Sequence, residues 1–408
     1  MQYYPPNVKT LSMLTAILFL AILTLLVLVH EWGHFVTARK FGMKVYEFGF
    51  GFPPRAFGFY RDPNTKKWIF VWRKKQSAIN NQQSTLTNTV GGGEHDEEYP
   101  GVLYTINWLP LGGFVKIKGE NGELMNDADS FGFHKAWKKV VVLVAGVGMN
   151  FVLAVVLLAV GFLIGLPTDM THGIDDKAII VEPSVVMIQQ VVKDSPAFRA
   201  GLSVGDKIIS LNDTPIQTTD ALISSIQSTG ATLIRLAITR DGNNMTVEIT
   251  PEVDTETGNA HIGVYPANAG IVRYPWYLAL WKGFVASVFG VVSIVIGFFV
   301  LIKGLILGNG LSFEVSGPVG IATMIGQSAR LGVAYLLNIS AMISLSLAVI
   351  NILPIPALDG GRLLFVLIEW FTGRKVPIKY EQIAHTIGFV LLMILIVVVT
   401  WRDVVGLL

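Results

Sequence analysis

The sequence predicts a polytopic α-helical membrane protein of about four transmembrane helices, with membrane-associated β-hairpins and one compact extracytoplasmic α/β module. Three observations carry that class. Of the 408 residues, 52% are hydrophobic and only 15% charged, with a mean hydropathy of +0.55, whereas soluble chains carry about a quarter charged residues. Long uncharged runs recur along the chain, each able to cross about 30 Å of hydrocarbon as a helix. Between two of them lies a stretch of short β-branched segments punctuated by Gly, Asp and Asn, the pattern of a folded soluble module.

The membrane runs are 11–30, 140–168, 331–358 and 382–401. The first is long for a signal-peptide core and lacks a small-residue cleavage site, so it is expected to remain as a helix. Lys and Arg collect between the first two runs, from Arg39 and Lys40 to Lys138 and Lys139, which predicts that this segment is cytoplasmic. The N-terminus and the region after Thr168 then lie outside. Arg362, Arg374, Lys375 and Lys379 put the connection after the third run in the cytoplasm as well. An even number of crossings must then separate residues 170 and 331. A fifth apolar run, 283–302, is therefore expected to be interfacial or re-entrant.

This divides the chain into four parts. Residues 1–183 hold the first two spans and the hairpins, 184–268 the soluble module, 269–330 the interfacial segment and 331–408 the last two spans. "YEFGFGFPPRAFGF" and "WIFVWRKK" within 43–75, and "VLYTINWLPLGGFVKIKG" at 102–119, read as strands joined by turns. Residues 76–99 are amide-rich and Gly-rich, a flexible insertion without core-forming power. In the module, one helix is expected near 219–228.

Chemistry concentrates at "HEWGH", residues 30–34. His30 and His34, one helical turn apart, project from one face, and two imidazoles so spaced can share a Zn²⁺. Glu31 beside them is the general base of the H-E-x-x-H metalloprotease arrangement. The chain has no cysteine, so a third ligand must be His or a carboxylate. His95 sits in the insertion, His172 and His261 outside, and His385 opens the last run. Asp359, after the helix-breaking Pro354 and Pro356 and before Gly360-Gly361, has two readings: a metal ligand, or an interfacial Asp paired with Arg362. A net charge of +2 and no basic-aromatic patch argue against nucleic acid.

These motifs together resemble the site-2 protease family of intramembrane zinc metalloproteases, and in particular its bacterial sigma-regulating members with a single PDZ domain. The resemblance covers nearly the whole chain. It rests on His30-Glu-Trp-Gly-His34 with "NILPIPALDGG" (351–361), on "WLPLGGFVKIKGE" (108–120), on "SGPVGIA" (316–322), and on "DSPAFRAGLSVGDKIISLND" in the PDZ-like module. It implies one Zn²⁺ per chain held by His30, His34 and Asp359, with Glu31 as base. It further implies that Asn351 holds the substrate backbone. Hairpin residues Gly112 and Gly113 are expected to add a strand to the unwound substrate. Substrates would be single-pass membrane proteins, of the anti-sigma-factor kind, or remnant signal peptides, cut after a first extracytoplasmic cleavage. The setting would be a bacterial inner membrane, with the active site toward the cytoplasm and the PDZ-like module outside. Two positions depart from the family pattern: Val147 stands where Pro is usual, with Gly146 and Asn150 kept, and Ser346 stands where many relatives have Asn.

For the module, "HIGVYP" (261–266) resembles a carboxylate-binding loop, so the amides around Ile262, Gly263 and Val264 would capture a substrate's new C-terminus. The rival reading, slightly preferred because an ordinary β-turn explains the small residues equally, is a filter that blocks bulky external domains. Two other functions compete for the whole chain. A membrane-embedded PDZ scaffold leaves Glu31 unexplained, and a transporter should have more intramembrane charge and paired broken helices.

Overall fold

A computed structural model describes residues 13–72, 99–170, 175–192, 194–240, 242–254, 258–307 and 316–407. The insertion foreseen at 76–99 falls outside the described residues apart from Tyr99, as do His95 and His172. Two compact units share the chain: one contains Val155–Phe289 and Met324–Ala341, the other Ser12–Ala154, Gly290–Thr323 and Met342–Leu408.

The second of these carries the motifs. Helix α1 (Met13–Lys40) is apolar along most of its length and ends in Arg39 and Lys40, cations suited to the negative end of the helix dipole. Strands β1 (Val45–Arg61), β2 (Trp68–Val71) and β3 (Leu103–Ile117) form one antiparallel sheet in the order β2-β1-β3. The hairpins expected at 43–75 and 102–119 are therefore a single sheet. On and beside it Trp68, Phe70, Trp72 and Trp108 are exposed, aromatic rings that suit a membrane interface. Lys118, just after β3, lies between Asp127 and Asp129 at 2.7 and 2.8 Å. Its hydrogen bond holds the Asp129 carboxyl below the usual carboxylate range.

Helix α2 (Ala136–Ile164) follows, and Phe35, Val45, Ile117, Val142, Leu143 and Leu363 bury one apolar core between it, α1 and the sheet. Helix α7 (Val333–Ile352) stops where Pro354 and Pro356 deny it further backbone donors, and α8 (Asp359–Thr372) starts at the aspartate itself. Buried Lys139 of α2 pairs with Glu369 of α8 at 3.1 Å. Helix α9 (Ile378–Leu407) begins beside Asn121 and Gly122, with Gln382 donating to the Asn121 carbonyl at 3.2 Å. At its far end Asp403 accepts from the Gly320 N–H at 2.8 Å, at the start of α6 (Pro318–Leu331). About 25 residues of helix, some 37 Å, separate these two ends of α9.

The other unit is built on a sheet in the order β4-β12-β5-β6-β8-β9, with β7 on β6. These strands are β4 (Leu166–Asp169), β5 (Ile179–Val191), β6 (Lys207–Leu211), β7 (Thr214–Pro215), β8 (Ile234–Arg240), β9 (Asn243–Ile249) and β12 (Val264–Arg273). A two-stranded ribbon, β10 (Glu252–Val253) with β11 (Ala260–His261), stands beside it. A short α3 (Pro196–Arg199) and α4 (Thr219–Thr229), the helix expected near 219–228, complete it. Ile188, Ile208, Leu222, Ile234, Leu236 and Ile238 are fully buried between sheet and helices. The sheet is wider than 184–268, because β4 and the start of β5 pair with β12.

Residues 283–302, expected to be interfacial or re-entrant, lie inside one continuous helix, α5 (Trp276–Ile306). Five described helices are long and apolar enough to cross a membrane, α5 among them. Gly283 of α5 lies so close to α2 that a Cβ there would stand 2.8 Å from the Val155 carbonyl, the small-residue contact typical of helices packing in lipid. Counting charges fixes only the parity of crossings and carries no information about helix continuity.

Candidate metal centre

The spacing of four residues does what the sequence predicts: His30 and His34 point from one face of α1, both buried. Their Nε2 atoms are 3.1 Å apart. Asp359, at the first turn of α8, brings Oδ2 to 2.9 Å from His30 Nε2 and 3.3 Å from His34 Nε2. Among the described residues these three form the group of His and acidic side chains able to hold a metal ion, with ligand atoms all within 4.8 Å. Atoms about 2.0–2.1 Å from a tetrahedral ion stand about 3.3 Å from one another, so the cluster already has the dimensions of a zinc site. The pairing of Asp359 with Arg362 is absent; Arg362 instead meets Glu120 and Glu381.

The opposite ring nitrogens fix which atoms face the centre. His34 Nδ1 donates to the Val142 carbonyl of α2 at 2.8 Å. His30 Nδ1 faces the side-chain amide of Asn150, also on α2, at 3.4 Å. Asn150 is fully buried and its Oδ1 has no partner. The amide's two orientations fill the same space, and the one with Oδ1 toward the ring accepts a proton from His30 Nδ1 and satisfies the orphaned oxygen. With protons on both Nδ1 atoms, both Nε2 lone pairs are available to a metal, the arrangement found behind metal-bound histidines. The Asn150 carbonyl in turn accepts from Ser344 of α7 at 2.8 Å, tying a third helix to the site.

Two glycines let the helices come this close. A Cβ at Gly33 would lie 2.4 Å from the Ala145 carbonyl oxygen, and a Cβ at Gly146 2.4 Å from His34 Nε2. Neither α1 and α2 nor the site itself has room for a side chain there. Glu31, the predicted base, accepts from the Val115 N–H of β3, and a Cβ at Gly113 would be 3.8 Å from its Cγ. Gly112 beside it, within β3, takes φ 75°.

The structure thus brings His30, His34, Asp359, Glu31 and Gly113 to one place. Asn351, in the last turn of α7, is half-buried and has no hydrogen bond to any of them among the described residues. Ser346 donates back to the Met342 carbonyl of its own helix at 2.9 Å. Ile262, Gly263 and Val264 belong to the other unit, where with Leu222, Ile223 and Ile226 they line a cavity of about 590 Å³. Gly263 takes φ 76°, and its position would place a Cβ 2.3 Å from Ser195. Sequence reasoning noted Gly146 and Asn150 only as kept positions of the family pattern, without a role at the centre, and did not single out Gly33. The usable signal was there: Gly146 and Asn150 repeat on α2 the four-residue spacing of the two histidines.

Comparison with known proteins follows the same residues. Residues 18–72 and 96–395 match the model of peptidase family M50. A candidate zinc metalloprotease of Clostridium perfringens (strain 13) is 32% identical, over 93% of this chain and 95% of its own length. The zinc metalloprotease RasP of Geobacillus kaustophilus is 27% identical, over 97% of this chain and 99% of its own. The regulator of sigma-W protease RasP of Bacillus subtilis is 28% identical over 96% and 98%. Among solved structures, the PDZ domain of the SdrC-like protein of Listeria monocytogenes covers 22% of this chain and 93% of its own, at 20% identity and a TM-score of 0.20.

Proposed function

The chain belongs to peptidase family M50 and is an integral membrane zinc metalloprotease; we propose that it cuts the transmembrane segments of single-pass membrane proteins at the His30–His34–Asp359 centre. The observation that carries this is the convergence of three ligand atoms from two helices within 4.8 Å, with a carboxylate one residue from the first ligand. In this reading His30 Nε2, His34 Nε2 and the Asp359 carboxylate hold zinc. When bound, it supplies Lewis acidity and a water acidified to near neutrality.

Glu31 takes the proton of the attacking water and returns it to the leaving amine. Its hydrogen bond from the Val115 N–H orients the carboxylate. A substrate helix has its backbone bonds satisfied internally, so it must unwind before a peptide bond can reach the centre. A strand added beside Gly112 and Gly113 replaces those bonds with main-chain bonds that are blind to sequence, and the closeness of Gly113 to Glu31 supports that docking place. Asn351 is assigned the same backbone-holding role, from the family resemblance.

The Lys and Arg distribution supports a cytoplasmic metal centre and an extracytoplasmic PDZ-like module, in a bacterial inner membrane. The Gly320–Asp403 bond supports the same topology: it returns the chain, before α7, to the end of α9 remote from the centre. The name of the Bacillus subtilis relative supports substrates of the anti-sigma-factor kind, with remnant signal peptides as a second class, each first shortened outside. For the module, the cavity beside Gly263 and Val264 supports capture of a substrate's C-terminus over a filter that binds nothing.

Reconstituted protein supplied with a shortened single-pass substrate is expected to give product ends inside the membrane segment by mass spectrometry. Chelation should stop the reaction and added zinc restore it. Cuts confined to extramembrane loops would contradict the proposal.

A further inference from the structure

Two helices mark the same membrane boundary. In α5 the uncharged run between Lys282 and Lys303 is 20 residues, about 30 Å of helix, the thickness of the hydrocarbon layer. In α2 a stretch of the same length begins at Val140, directly after Lys139, and ends at Ala159. These two ends meet: a Cβ on Gly283, beside Lys282, would stand 2.8 Å from the Ala159 nitrogen. The level of Lys282 and Ala159 is therefore where hydrocarbon gives way to headgroups.

The sheet of the module starts close to that level. Only Gly165 separates α2 from β4, and only Tyr274 and Pro275 separate β12 from α5. The Tyr274 N–H donates to the Phe162 carbonyl at 2.8 Å, about 5 Å of helix past Ala159. Arg273, before it, pairs with Ile179 of β5, and Val272 with Ile180. Lys282 reaches back to Asp175, ahead of β5, at 3.2 Å, its ammonium over the Tyr274 ring, as a lysine at the edge of hydrocarbon does. The headgroup layer is about 5–8 Å thick on each side, so the base of the sheet stands within it. Its side chains there are apolar and exposed: Ile179 and Ile180 on β5, beside Trp276, Tyr277 and Trp281 in the first turns of α5. Apolar surface is disfavoured in water, whereas Trp and Tyr collect at the membrane–water boundary. The charges of this region balance, with Lys177, Arg273 and Lys282 against Asp175, Asp176 and Glu182.

We infer that the module is seated on the bilayer by its own sheet: Ile179 and Ile180, with the aromatic turns Trp276–Trp281, bind the lipid interface. This rests on α2 and α5 crossing the bilayer. The occupant is lipid because the patch continues the lipid-facing surface of those two helices at the height of their ends. Binding to an interface draws on apolar area and on headgroup charge; with the local charges balanced, the apolar part carries it here. Short junctions and an embedded strand end together hold the module at one height above the membrane.

The chain has no cysteine, so a single introduced cysteine can carry a fluorophore on the full-length protein in nanodiscs, with brominated phospholipids as quencher. On Ile179→Cys the label is expected to lose most of its emission to lipids brominated near the headgroup end of the chains, equally in zwitterionic and in anionic lipid. Strand register places Asn244 level with Met187, about 26 Å up β5 from Ile179, and a label on Asn244→Cys is expected to lose none. Val292→Cys, midway along the uncharged run of α5, is expected to be quenched by lipids brominated deep in the chains. Quenching at Val292 without quenching at Ile179 overturns the seating and leaves the crossing of α5 intact. Quenching at Ile179 only in anionic lipid overturns its apolar basis, and equal quenching at Ile179 and Asn244 overturns the fixed height. A Val292 label left unquenched overturns the crossing itself, and the seating with it.

Discussion

Glu31→Gln protein is expected to hold zinc as the parent does and to cleave about 10²–10⁴-fold more slowly, the range for a lost general acid–base group. Glutamine keeps the size of the side chain, and its Oε1 still accepts from the Val115 N–H, so β3 stays seated against α1. What is lost is the ability to take and return a proton. Turnover of a reconstituted single-pass substrate and zinc per chain should be measured on the same preparation. Retained zinc with cleavage within tenfold of the parent would remove Glu31 from the mechanism.

Gly146→Ala is expected to cut zinc affinity by at least about 10–100-fold, the range for residues that support metal ligands, and cleavage with it. The added methyl would stand 2.4 Å from His34 Nε2 and 2.7 Å from His30 Cε1, where ligand atoms already are. Helix propensity argues the other way, since Ala stabilises a helix interior over Gly by about 1 kcal/mol. A loss therefore cannot be ascribed to a weaker α2. Gly148→Ala on the same helix meets nothing within 4 Å and is expected to keep both zinc and activity. Zinc titration of the two variants side by side separates them; equal affinities would show that α2 does not shape the centre.

The elements that sequence made legible are those whose cause is local. The four-residue histidine spacing, the Pro354 and Pro356 stop before Asp359, and the helix at Thr219–Thr229 all follow from rules acting over a few residues. Asp359 could be singled out because a carboxylate at the end of an apolar run is costly without a partner, but its pairing with His30 across 329 residues is a fact of tertiary packing. Gly33 escaped selection for that reason, and Gly146 and Asn150 were noted without a role: each matters through the neighbouring helix, which a single chain's pattern does not display. The 283–302 run shows the opposite limit. Its apolarity was plain, but that it continues as one helix from Trp276 to Ile306 is nothing the charge-parity argument could supply.

Metal analysis of the purified protein tests the central claim most directly. About one zinc per chain is expected in the parent and in Glu31→Gln, and none above background in Asp359→Ala, whose remaining His30 and His34 offer two ligands where a catalytic zinc site needs three. A parent without zinc, or an Asp359→Ala protein that keeps it, would contradict the assignment of His30, His34 and Asp359 as one metal centre.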